Sequence, residues 1–94
     1  MELAFISTLE TAEHGRGTYH LFTVPEHVSS VLSDLPVLKG GFQSIKCRAT
    51  VGESSWNTSV FPSGEQYILL IAKKWVAAES LIIGEPIEVT LTIE

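Results

Sequence analysis

Tyr19-His-Leu-Phe-Thr-Val-Pro-Glu-His-Val28 and Tyr67-Ile-Leu-Leu-Ile-Ala-Lys-Lys-Trp-Val76 share one layout. Each opens on Tyr, runs through apolar residues of strand character and passes into the start of an amphipathic helix. The correspondence reaches Ser33 in the first copy and Leu81 in the second, at an offset of 48 residues from Tyr19 to Tyr67. Pattern is kept better than identity. A strand and helix unit repeated about a pseudo-twofold axis lets a small barrel close without leaving exposed strand edges. The repeat therefore points to a mainly β fold.

The flanking segments supply the other strands. Leu3, Phe5, Ser7 and Leu9 alternate with Glu2, Ala4, Ile6 and Thr8, as in a strand with one buried face. Thr11 to Gly17 reads as a loop, returning the strand Thr18 to Val24 antiparallel. Pro25 suits the first turn of a helix, with Thr23 or Val24 flanking the cap. Val24, Val28, Val31, Leu32 and Leu35 then recur at helical spacing, a helix expected over one barrel end and closed by Pro36 and Gly40-Gly41. In Gln43 to Val51, Ile45, Cys47, Ala49 and Val51 share one face and Ser44, Lys46, Arg48 and Thr50 the other. Gly52 to Ser55 turns the chain into a strand from Trp56 to Phe61, and Pro62 to Gly64 is the next turn. Tyr67 to Ala72 is apolar on both faces, which predicts a strand between the barrel interior and a covering helix. A short helix spans Lys73 to Leu81, with Ala72, Trp75, Val76 and Glu79 on one side. After Gly84-Glu-Pro86, the residues Ile87, Val89, Leu91 and Ile93 alternate with Glu88, Thr90, Thr92 and Glu94.

The expectation is a small closed or partly closed β-barrel of about six strands with two short helices, a two-layer α+β sandwich being the alternative. Residues 1 to 94 form a single domain, and 45% hydrophobic content supplies its core. One cysteine, Cys47, excludes an intrachain disulfide and suits a reducing compartment, so the expected location is cytoplasmic. The N-terminal residues lack a signal-peptide pattern, and no run reaches the roughly 20 apolar residues of a membrane helix. Eleven acidic side chains against six basic ones give a net charge of −5, which argues against nucleic acid as a partner. The basic clusters are Lys46 with Arg48 and Lys73 with Lys74.

The order of short motifs resembles the bacterial and archaeal domain of unknown function DUF1905, which also occurs ahead of a second domain in YdeI/OmpD-associated proteins. The matching residues are Val24-Pro25-x-x-Val28, Gly52-x-x-x-Trp56-x-Thr58-Ser59, Phe61-Pro62-x-Gly64 with Tyr67-Ile-Leu-Leu-Ile, Ala72-Lys73, and Gly84-Glu85-x-Ile87-x-Val89-x-Leu91. They are colinear over nearly the whole chain. The resemblance implies a small β-barrel with helical inserts and no assigned activity. The closing helix, Gly and acidic strand are similar to the half-barrel of AbrB-like transition regulators. Val76 stands where a basic residue often sits and Glu85 where Asp is usual, which weakens any anion site on that helix.

Catalytic chemistry finds little support. His14, His20 and His27 show no ligand-pair spacing, so no metal is expected. Cys47 lies on the inward face of a strand, where burial raises a thiol pKa, and no histidine is placed to activate it. No G-x-S-x-G elbow is present, and Glu53, Glu65, Glu85 and Glu88 read as solvated. The Gly15 and Gly40 turns lack the lysine and helix of a phosphate loop. Lys73 and Lys74 at a helix start oppose the helix dipole. They either snorkel over apolar surface or hold an anion against Trp56 or Trp75, Trp75 being first of all a core plug. The leading expectation is a non-enzymatic binding or protein-interaction module without cofactor, a monomer or homodimer with an unidentified protein partner or small ligand. The alternatives are a small-anion or metabolite binder at Lys73, Lys74, Trp56 and Trp75, and an AbrB-like DNA-binding protein.

Overall fold

Alternation between a buried and a wet face shapes most of this chain. The computed structural model describes residues 1–94. Its strands are β1 (Glu2–His14), β2 (Gly17–Val24), β3 (Ile45–Val51), β4 (Ser54–Ser63), β5 (Gln66–Ile71) and β6 (Pro86–Thr92). Two helices, α1 (Glu26–Asp34) and α2 (Lys73–Ala78), follow β2 and β5, and a 3-10 turn spans Gly41–Gln43. All strand pairs are antiparallel, and the ring β1-β2-β5-β4-β3-β6 closes into a barrel. Closure rules out the two-layer sandwich.

Exchanging β1 with β4, β2 with β5 and β3 with β6 returns the same ring read in the opposite sense, which is the pseudo-twofold relation expected from the repeat. Because β2 and β5 lie side by side and antiparallel, the helices after them leave from opposite barrel ends. The equivalence is one residue away from the sequence offset. Phe22 and Leu69 pair across β2 and β5 and are both buried, while Pro25 and Ala72 are both helix N-cap residues, each pair 47 apart. A 48-residue offset matches buried Phe22 to Leu70, which points outward. In a strand, a slip of one residue exchanges the two faces.

The interior is packed with side chains. Phe5, Leu9, Phe22, Ala49, Val60, Leu69, Val89 and Leu91 belong to one buried cluster of 17 residues, which also takes in Val28 and Leu32 of α1. The alternation expected of the third and last strands holds, with Ile45, Cys47, Ala49 and Val51 buried on β3 and Val89, Leu91 and Ile93 buried at the end of the chain. Burial pushes the Cys47 thiol up to about 11.

Four local expectations change. The predicted loop from Thr11 to Gly17 is a continuation of the first hairpin, pairing Glu10↔Leu21 through His14↔Gly17. Both faces of β1 are exposed from Glu10 onward, so no apolar alternation marks the strand. Pro25 is the N-cap of α1 rather than its first helical residue. Within α1, Val31 turns to solvent while Val28 and Leu32 are buried. Finally, no helix covers the outer face of β5. Leu70 is 39% exposed, because α2 ends after six residues and turns its Trp75 against Trp56.

Two polar devices tie the helices to the sheet. Ser29 of α1 is buried, its Oγ donating to Val24 O at 2.9 Å and accepting from Tyr67 N–H at 3.0 Å. At the other end, α2 stops in a Schellman motif. Leu81 N–H donates to Val76 O at 2.9 Å and Ser80 N–H to Ala77 O at 3.1 Å, with Ser80 left-handed at φ 52°. The Glu79 carboxylate then accepts from Glu53 N–H at 3.2 Å and from Ser54 Oγ, fastening α2 to the β3–β4 turn.

Candidate functional site

Two surface depressions draw on residues singled out in the sequence. The smaller, about 340 Å³, lies at the barrel end closed by α2 and is lined by His20, Trp56, Leu70, Lys73 and Trp75 among others. Trp56 projects from β4 opposite Ala49, and Trp75 comes down from α2 to stack on it. The rings are nearly parallel, 12° apart with centroids 5.2 Å apart. Both tryptophans pack against the core, so their first role is to plug this end. Lys73 stands at the rim. Lys74 places its Nζ 4.8 Å from the Trp75 ring centroid, a cation–π contact that occupies the charge locally. The structure thus brings Trp56, Trp75 and Lys73 together and turns Lys74 onto the far partner of the stack.

The larger depression, about 1030 Å³, follows from the way β3 and β6 part. Their pairing runs Thr50↔Thr90, Ala49↔Leu91 and Arg48↔Thr92, then stops. On the other side of β6 the ladder with β1 runs one rung further, Ile93 and Met1 exchanging two hydrogen bonds at 2.8 and 2.9 Å. Ile45, Lys46 and Cys47 pair only with β4. The groove left beside them is lined by Val37, Leu38, Lys46, Arg48, Phe61 and Glu94 among others.

The loop between α1 and β3 lines this groove with Val37 and Leu38. Leu38 is 98% exposed and Phe42, four residues on, is 91% exposed. Phe42 and Gln43 are both left-handed, at φ 58° and 60°, a conformation that costs an ordinary side chain about 1–2 kcal/mol per residue. Backbone bonds from Gly40 N–H to Ser44 O, 2.9 Å, and from Gln43 N–H to Gly40 O, 3.1 Å, hold the loop in that shape.

Charge sorts to the same place. Lys46 and Arg48 lie on the wet face of β3, Arg48 donating to Asn57 Oδ1 at 3.3 Å, while Glu94 is the one acidic side chain among the lining residues. Sequence reasoning noted the Lys46 and Arg48 pair and missed its setting. The available signal was Leu38 and Phe42 standing among glycines and polar residues in a turn, where apolar side chains have nothing to pack on.

Elsewhere, the chemistry-bearing residues stay apart. His14 sits near the tip of the first hairpin beside Tyr19, His20 on β2 and His27 on α1. No group of three or more His, Cys, Asp or Glu converges. Glu53, Glu65, Glu85 and Glu88 are all exposed. No helix is long and apolar enough to cross a membrane. Among known families, the model described as a domain of unknown function, DUF1905, matches residues 5–91. No curated protein and no solved structure matches the chain.

Proposed function

The chain belongs to the DUF1905 family, and from that premise we propose that it is a non-enzymatic protein-interaction module acting through its outer surface. One observation carries this reading: apolar side chains fill the interior, while the loop between α1 and β3 holds Leu38 and Phe42 almost fully in water, Leu38 beside the groove along β3. Burying apolar area of that kind is the main drive for protein association. A filled barrel also speaks against a small molecule held inside it. The lone buried thiol fits a reducing compartment, and the cytoplasm belongs to the proposal on that ground.

A second reading keeps one specific observation in its favour. Lys73, His20 and the Trp56–Trp75 stack share a single cleft, which suits a small anion bearing a flat apolar group. The AbrB-like reading has less behind it, since the net charge is −5 with only six basic residues in the chain. A native mass spectrum of gently purified protein separates the first two readings. The interaction module gives the 10.3 kDa chain mass, or an integer multiple of it, with nothing small attached. A reproducible extra mass released on denaturation, and lost in Lys73→Ala, would overturn it in favour of the cleft.

A further inference from the structure

We infer that the cleft beside the Trp56–Trp75 stack binds a small flat aromatic ring carrying a single carboxylate. This deepens the cleft reading given above and names the ligand class. It concerns a part of the surface apart from Leu38 and Phe42, so the interaction reading stands or falls separately. The strand register explains why a cleft exists here. β4 and β5 pair from Val60↔Leu69 to Ser63↔Gln66 and no further. Before Val60, β4 pairs only with β3, and Leu70 and Ile71 at the end of β5 pair only with β2. The two strands thus part at the barrel end where α2 folds back, and the cleft takes Thr58 from one and Leu70 and Ile71 from the other.

Inward side chains turn polar at this end. Residues directly opposite each other share a face of the sheet, so His20 beside buried Ile71 and Thr58 beside buried Cys47 both point inward, as does Thr18 two residues before His20. Along β2 the inward series runs Thr18, His20, Phe22, Val24, and along β4 it runs Ser54, Trp56, Thr58, Val60. Ser54 is held by Glu79. Thr18, His20 and Thr58 make no side-chain hydrogen bond within the chain, and neither do the indole N–H groups of Trp56 and Trp75. Half-buried polar groups such as His20 and Thr58, unpaired inside the chain and lining one depression, are equipped to pair with a ligand.

The walls set the chemistry of that ligand. The stacked indoles offer a flat apolar surface for an aromatic ring. Lys73 supplies one full positive charge, and none of the eleven acidic side chains lines the cleft, Glu13 opposite Thr18 included. His20 and Thr58 add donors for the remaining lone pairs of a carboxylate. A single lysine matches a single negative charge, which favours a carboxylate over a doubly charged phosphate ester. The cleft, about 340 Å³, is at the small end of ligand pockets and suits a ligand of one or two rings.

Indole-3-acetate is the probe, with its uncharged counterpart indole-3-acetamide and inorganic phosphate as comparisons. The chain has two tryptophans, so both indole N–H signals of the isotope-labelled protein report from the cleft wall. Indole-3-acetate is expected to shift both, together with the backbone signals of Thr58 and Ile71, with one Kd of about 0.1–1 mM. The acetamide binds roughly fivefold more weakly, and Lys73→Ala weakens the carboxylate by a similar factor while leaving the acetamide unchanged. Unchanged acetamide binding also shows that the cleft of this exposed-site variant is intact. Two results would overturn the inference outright: no shift of either indole at about 5 mM probe, or equal affinity for carboxylate and acetamide. Phosphate moving the same signals as strongly would also overturn it, the cleft remaining an anion site without the aromatic requirement. Silence from all three probes would remove the cleft reading as well.

Discussion

Ser29 offers the sharpest test of how the helices are anchored. It is 1% exposed, and its hydroxyl joins α1 to both strands it bridges. In Ser29→Ala, Val24 O keeps a partner, since Gln66 Nε2 donates to it at 3.1 Å. Tyr67 N–H loses the oxygen it donates to, and a buried donor left unpaired costs about 1–3 kcal/mol. Alanine is a better helix former than serine, which returns about 0.5 kcal/mol. The expected net loss is thus about 0.5–2.5 kcal/mol, or a fall in Tm of roughly 2–20 °C for a domain of this size. Urea unfolding of Ser29→Ala against the exposed control Ser33→Ala measures it, with hydrogen exchange at the Tyr67 amide as a local readout. A loss under about 0.5 kcal/mol with an unchanged m value and a still-protected Tyr67 amide would refute the reasoning.

Further outcomes follow from the left-handed residues and the thiol. Ser80→Gly relieves the φ 52° position in the Schellman motif and raises stability by up to about 1 kcal/mol in urea unfolding. Phe42→Asn, at φ 58°, stabilises by about 0.5–1 kcal/mol in the same assay, because Asn tolerates the left-handed region better. Gly52→Ala destabilises by about 2 kcal/mol or more. It sits at φ 59°, and its new Cβ collides with Glu79 Oε1, forcing that carboxylate off Glu53 N–H and Ser54 Oγ. For Cys47 the folded thiol is raised from 9.0 to about 11. A raised acid favours the fold below the unfolded value and loses that contribution as pH climbs through the folded one. Wild type therefore loses stability relative to Cys47→Ala between about pH 9 and 11, and the native thiol resists alkylation at neutral pH.

What could be read ahead of the structure followed burial. β3 and β6 each keep one face in the core and one in water, so Ile45 to Val51 and Ile87 to Ile93 declare their period of two. The first hairpin beyond Leu9 has no buried face and shows no period, although its backbone ladder continues to His14↔Gly17. The repeat was visible as a pattern, yet its register depended on which of Leu69 and Leu70 faces inward, and two adjacent leucines do not say. Ser29 reads as an ordinary polar helix residue until Tyr67, 38 positions away, is brought to its hydroxyl. At the candidate site, Trp56, Trp75 and Lys73 were legible by residue type, and their convergence needed α2 to fold back over the barrel end. The groove beside Lys46 was not legible at all. The groove there depends on where the β3–β6 pairing stops, after Arg48↔Thr92, which the residues alone do not say.

On the proposed reading, this barrel is solid within and binds by its exterior. Methyl-labelled protein exposed to a soluble nitroxide measures that directly, because broadening reports approach of solute to each methyl group. The methyls of Leu9, Leu32, Leu69 and Leu91 are predicted to stay sharp, that of Leu70 to broaden in part and those of Leu38 to broaden fully. Broadening at Leu9 and Leu69, with Leu38 untouched, would describe an open-mouthed barrel with a covered rim and would contradict the claim.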